Sequence, residues 1–164
     1  MSSDTEKMRD RLYQRYLSSA FGIEGVMFLY YNDKASCSPR NPDTNLKQWS
    51  ERAMESGENS RIVADYFNEY RGDILLGVLS KVIELNRIME LNLAKGEERK
   101  DVNIETVFEG SITDIIREII GREELTRNKH ADEIKVALID RILHHAVDLT
   151  VKYRKGELIN LRKI

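Results

Sequence analysis

From Val63 to Met89 apolar side chains recur three and four positions apart, with Val63, Phe67, Tyr70, Ile74, Val78, Leu85 and Met89 on one stripe. That spacing is the period of one side of an α-helix. The stripe stays in phase across Gly72, so a single helix is predicted over residues 60–95. Asn59 or Ser60 can cap its start, and Gly96 can supply a left-handed stop. The same periodicity predicts a long helix over 128–155. It predicts another over 4–31, where Met8, Leu12, Tyr16, Ile23 and Tyr30 lie along one side. Gly22 and Gly25 each cost that first helix about 1 kcal/mol relative to alanine.

Shorter helices fill the intervals. One is expected around 46–56, carrying Trp49 and Met54, and a brief one around 104–108. SITDIIREIIG reads as a complete small helix, with Ser111 and Asp114 as a capping box and Gly121 as its end. Both prolines, Pro39 and Pro42, fall in NDKASCSPRNPDTN, which marks a loop over 32–45. Alternating strand patterns are scarce. The expected fold is therefore all-α: one domain over 1–164, a helical bundle built on three long helices with shorter connecting helices, ending in a basic extension over 156–164.

Two of the stripes are wider than a single neighbour requires. Projected at about 100° per residue, Ile74, Leu75, Leu76, Val78, Leu79, Val82, Ile83, Leu85, Met89 and Leu93 cover roughly half the cylinder. Ile134, Val136, Leu138, Ile139, Ile142, Leu143, Ala146, Val147, Leu149 and Tyr153 cover a similar arc of the last helix. A helix docked on one partner needs an apolar arc only about 100° wide. Either both helices are central to one bundle, or part of each arc meets a second chain. Leu76, Ile83, Val136, Leu143 and Val147 are the candidate interface residues.

Composition narrows the classes. The chain carries 26 Lys and Arg against 28 Asp and Glu, for a net charge of −2, with 41% hydrophobic and 33% charged residues. That is a globular composition, neither disordered nor strongly basic. Cys37 is the only cysteine, which excludes an intrachain disulfide and a thiolate zinc cluster within one chain. The most apolar run, AFGIEGVMFLYY, is too short to span a bilayer and contains Glu24. A cytoplasmic protein with no membrane contact and no cofactor is expected.

Candidate chemistry is sparse. Within ALIDRILHHAVDL, His144 has Asp140 and Asp148 one turn before and after it, opposite the apolar arc. Asp140, His144 and Asp148 are thus a candidate metal or acid–base group, set against a plain solvated ladder of charges. His145 diverges from His144 by about 100° and cannot easily share an ion with it. No HExxH, ExxH, phosphate loop, nucleophile elbow or dinucleotide fingerprint occurs, and no catalytic residue is assigned.

The two ends are basic and carry tyrosines. Arg9, Arg11 and Arg15 stand among Tyr13 and Tyr16, and Lys152, Arg154, Lys155, Arg162 and Lys163 accompany Tyr153. Arginine beside tyrosine can clamp phosphates and stack on unpaired bases. Three functions follow as expectations. The first is a non-enzymatic assembly or adaptor subunit acting through protein–protein contacts, self-associating. The second is a small helical subunit of a nucleoprotein complex that binds RNA or DNA backbone through the basic ends. The third is a metal-dependent or acid–base helical enzyme centred on Asp140, His144 and Asp148.

Overall fold

Periodicity of three and four produces helices throughout. A computed structural model describes residues 7–9, 11–13, 15–17, 50–96 and 102–153, and no strand occurs among them. The expectations for the loop over 32–45, for Gly22, Gly25, Glu24 and Cys37, and for the extension over 156–164 lie outside the described residues.

Helix α1 (Gly57–Ala94) runs for 38 residues without a break at Gly72. Its start differs from expectation. Ser56 is the N-cap, with no side-chain capping bond. Asn59 is instead buried inside the first turn, where its amide nitrogen donates to the Ala53 carbonyl at 3.0 Å. That bond closes the turn at 54–55 back onto the helix. Of the short helix expected over 46–56, residues 50–53 are helical, and 46–49 lie outside the described residues. At the far end Gly96 adopts φ +84, the left-handed conformation that glycine takes without steric cost.

Helix α2 (Ile104–Ser111) opens on Asn103, whose side-chain oxygen accepts the Glu105 amide at 2.8 Å. Helix α3 (Thr113–Ile120) follows after one residue, Ile112, which is fully buried and helical in backbone. The capping box expected at Ser111 and Asp114 is not formed. Ser111 closes α2 rather than opening α3, and its hydroxyl donates to the Val107 carbonyl at 2.7 Å. Gly121 ends α3 at φ −79, so it is not a left-handed stop. A Cβ there would stand 3.2 Å from the Arg117 carbonyl, a close approach that glycine relieves. One turn, α4 (Glu123–Thr126), leads to α5 (Ala131–Lys152), which starts three residues later than its sequence pattern implied. The Asn128 side chain accepts the His130 amide at 2.8 Å, turning the chain just before α5.

Helix α5 is the centre of the fold. Ile134, Val136, Leu138, Ile139, Leu143, Ala146 and Val147 are all fully buried, with Ile142 beside them. These positions wrap about 220° of the cylinder, an arc only several neighbours can cover. Three of the expected interface residues are corrected here: Val136, Leu143 and Val147 are interior to the chain. Even buried Thr150 is satisfied within the helix, donating to the Ala146 carbonyl at 2.8 Å.

The main neighbours of α1 are α5 and α2. Its buried row of Val63, Phe67, Tyr70, Ile74, Val78 and Val82 advances almost entirely by fours, the ridge along which one helix crosses another. Where α2 crosses, Gly77 meets Ser111, and a Cβ on Gly77 would lie 3.1 Å from the Ser111 Cβ. The helical residues at 7–17 close the other side of α2. Leu12, Tyr13, Tyr16 and Leu17 are buried, and Tyr16 packs near Phe108 with its hydroxyl 2.9 Å from that of Thr113.

Truncation of this ridge should be costly and truncation of the outer side should not. Ile74→Ala is expected to lower unfolding free energy by roughly 2–5 kcal/mol in a urea titration at low protein concentration. Leu91→Ala should stay within about 0.5 kcal/mol of wild type. Equal losses would contradict the assignment of inside and outside.

Candidate functional site

The apolar arc of α1 is only partly covered. Every large hydrophobic residue that stands exposed among the described residues lies in its C-terminal half: Leu76, Ile83, Ile88, Leu91 and Leu93, at 36% to 64% exposure. Leu76 and Ile83 are seven residues apart and so share one side, with half-buried Leu79 between them. Leu91 stands about 60–80° around from that pair, and Ile88 and Leu93 face other directions. Soluble monomers rarely expose a large contiguous apolar patch without a partner for it, and Leu76, Leu79 and Ile83 are the residues here that share one side. Of the five interface candidates, Leu76 and Ile83 thus lie at the surface.

At the edge of the same region is an unusual polar residue. Asn86 is 6% exposed, yet neither its side-chain nitrogen nor its oxygen has a hydrogen-bond partner. Buried amides are nearly always paired, and an unpaired one costs stability.

Among the described residues the acid–base candidate does not assemble into a metal centre. His144 Nε2 stands 3.4 Å from Asp140 Oδ1, both half-buried, on the strip that the buried arc of α5 leaves open. Asp148 is exposed and makes no ion pair with His144, and no group of three potential ligands occurs among the described residues. A small cleft of about 80 Å³ beside Asp140 is lined also by Tyr13, Ser50, Glu51, Met54 and Val136. Its wall is fixed by the Ser50 hydroxyl, which donates to the Glu133 carbonyl at 3.0 Å.

His145 has a different environment. Its ring meets Phe67 edge-on at 5.2 Å between centroids, and the Arg141 guanidinium lies 4.5 Å over the same phenyl ring. Burial first, then the positive charge of Arg71 on α1 and of Arg141 on its own helix, hold the imidazole below its usual pKa. Asp148 partly opposes them. The neutral ring is therefore the form that fits.

Two of the basic N-terminal residues, Arg11 and Arg15, are engaged within the chain. Arg11 pairs with Glu105 at 3.3 Å and Arg15 with Glu109 at 3.0 Å, two rungs of a ladder between 7–17 and α2. Arg9 is half-buried. Lys152 lies 5.3 Å over the Tyr153 ring. Arg154, Lys155, Arg162 and Lys163 lie outside the described residues.

One cluster was not anticipated. Arg122 donates to Glu69 at 2.6 Å, to Glu124 at 3.1 Å and to the Tyr70 hydroxyl at 3.5 Å, and its plane lies 5.0 Å over Tyr66. Tyr66 completes the ring of contacts by donating to Glu124 at 3.1 Å. The Glu69 bond foremost raises the Arg122 pKa, and burial followed by Glu124 raises that of Tyr66. An open cleft of about 270 Å³ lies alongside, lined by Ile62, Asp65 and these groups. The guanidinium is occupied on both forks and one face, so the cluster acts as a latch pinning the α3–α4 turn onto α1. Composition alone hinted at it only as acidic residues beside an arginine.

No helix among the described residues is long and apolar enough to cross a membrane. No family model, no curated protein and no solved structure matches this chain.

Two outcomes are expected. Arg122→Met should lower the thermal midpoint, and the deficit should shrink as salt screens the pairs lost. An unchanged midpoint would show that the latch is ornamental. For His145 the folded pKa is lowered, so its contribution is fully present above the unfolded value of about 6.5 and is lost as pH falls below it. Between pH 7 and 5.5, wild type should therefore lose more stability than His145→Leu. Identical slopes would contradict this placement of the ring.

Proposed function

We propose that the protein is a non-enzymatic helical assembly subunit that acts through protein–protein contacts and self-associates through the outer side of α1. The bundle is then built on three long helices, the first being the one whose residues 7–17 pack on α2. The observation that carries this reading is the confinement of the exposed large hydrophobics to residues 76–93 of one helix. Each such residue, fully buried, contributes about 1.5–3 kcal/mol, so even partial burial of several favours association. Support also comes from the charges at the other candidate sites, several of which are engaged in contacts inside the chain. Arg11, Arg15 and Arg122 bind glutamates of this same protein, and Asp140 faces His144.

Light scattering across a concentration series tests the reading. Wild type should approach a multiple of the 19.1 kDa chain mass. The double variant Leu76→Glu, Ile83→Glu should stay at single-chain mass with unchanged helical content, because both side chains point outward. Wild type at single-chain mass throughout would contradict the proposal.

A further inference from the structure

We propose that the partner on α1 is a second copy of this chain, docked antiparallel, α1 against α1, about a two-fold axis beside Ser80. The inference rests on the self-association reading above and adds its geometry. Leu76, Leu79 and Ile83 form a seam along which apolar residues recur at three and four, the spacing of paired helices. Beside that seam stands a line of exposed polar residues, Asp73, Ser80 and Arg87, each two turns from the next. Ser80 sits midway, with an acid seven residues before it and a base seven residues after it.

A two-fold axis at Ser80 makes this line complementary to itself. In an antiparallel pair the residue seven before the axis faces the residue seven after it on the other chain, and the symmetry repeats the contact. Asp73 of each chain then faces Arg87 of its mate, giving two ion pairs that flank the apolar seam. A parallel pair in register would instead place this line on opposite sides of the seam in the two chains, so neither ion pair would form. Among the described residues neither side chain makes an ion pair or hydrogen bond, so both charges are available. Of the neighbouring charges, Lys81 is engaged with Glu84, and Glu69 with Arg122. Gly72, with open space where its Cβ would be, leaves room at one end of the seam.

Charge exchange tests the pairing without touching the core. In sedimentation equilibrium at low salt, Asp73→Arg should weaken dimerisation by roughly tenfold, because it sets two arginines against each other twice per dimer. Arg87→Asp should do the same with two aspartates. Asp73→Arg combined with Arg87→Asp should restore the wild-type constant to within about threefold, since the pairs re-form with signs reversed. Circular dichroism confirms that each variant is folded. A dimer whose constant neither single exchange weakens, or which the double exchange fails to rescue, overturns the antiparallel pairing and leaves self-association standing. A wild-type protein that never leaves single-chain mass overturns both.

Discussion

A helix can bury its side chains only as far as its neighbours extend. Helix α1, with 38 residues, is about 57 Å long, whereas α5, with 22, is about 33 Å. The shorter helix sits in the middle and is wrapped around most of its circumference. The longer one lies on it and on α2, and its last turns reach past most of what could cover them among the described residues. Burial follows this geometry: Ile74, Val78 and Val82 are fully buried, and beyond them only Asn86 is enclosed. Beyond Val82 only Leu85 and Met89 pack partly on the core, and Ile88, Leu91 and Leu93 stand exposed in several directions. Sequence period, packing and the candidate function are thus tied to one mismatch of lengths.

Charged residues, a third of the chain, do different work. Arg11 with Glu105, and Arg15 with Glu109, set the position of 7–17 over α2, and Arg122 holds the α3–α4 turn to Glu69. The exposed pairs of Arg11 and Arg15 contribute little stability each, so their effect is mainly on orientation. The His145 ring serves as an edge on Phe67, beside an arginine that disfavours its protonated form.

Much of the fold was legible in the spacing of apolar residues. The unbroken passage of α1 through Gly72 and the wide arc of α5 follow from the period of 3.6, and the left-handed Gly96 from glycine's tolerance of positive φ at a helix end. Helix starts were less legible, since Asn59, Ser60 and Ser111 are good caps in isolation. Asn59 and Ser111 were drawn to other carbonyls once the chain was packed, Ala53 for Asn59 and Val107 for Ser111. Arc width shows that a helix needs more than one neighbour, but not whose. That is why Val136, Leu143 and Val147 proved interior while Leu76 and Ile83 stand outside. The Arg122 latch joins positions 53 apart in sequence, and no local pattern announces such a contact.

The central claim is that the uncovered side of α1 becomes covered when chains meet. Hydrogen–deuterium exchange read by mass spectrometry, on peptides spanning residues 76–94 and on peptides from α5, tests it most directly. Raising protein concentration should slow exchange in the first set and leave α5 unchanged. Protection over 76–94 that is the same at every concentration would contradict the account.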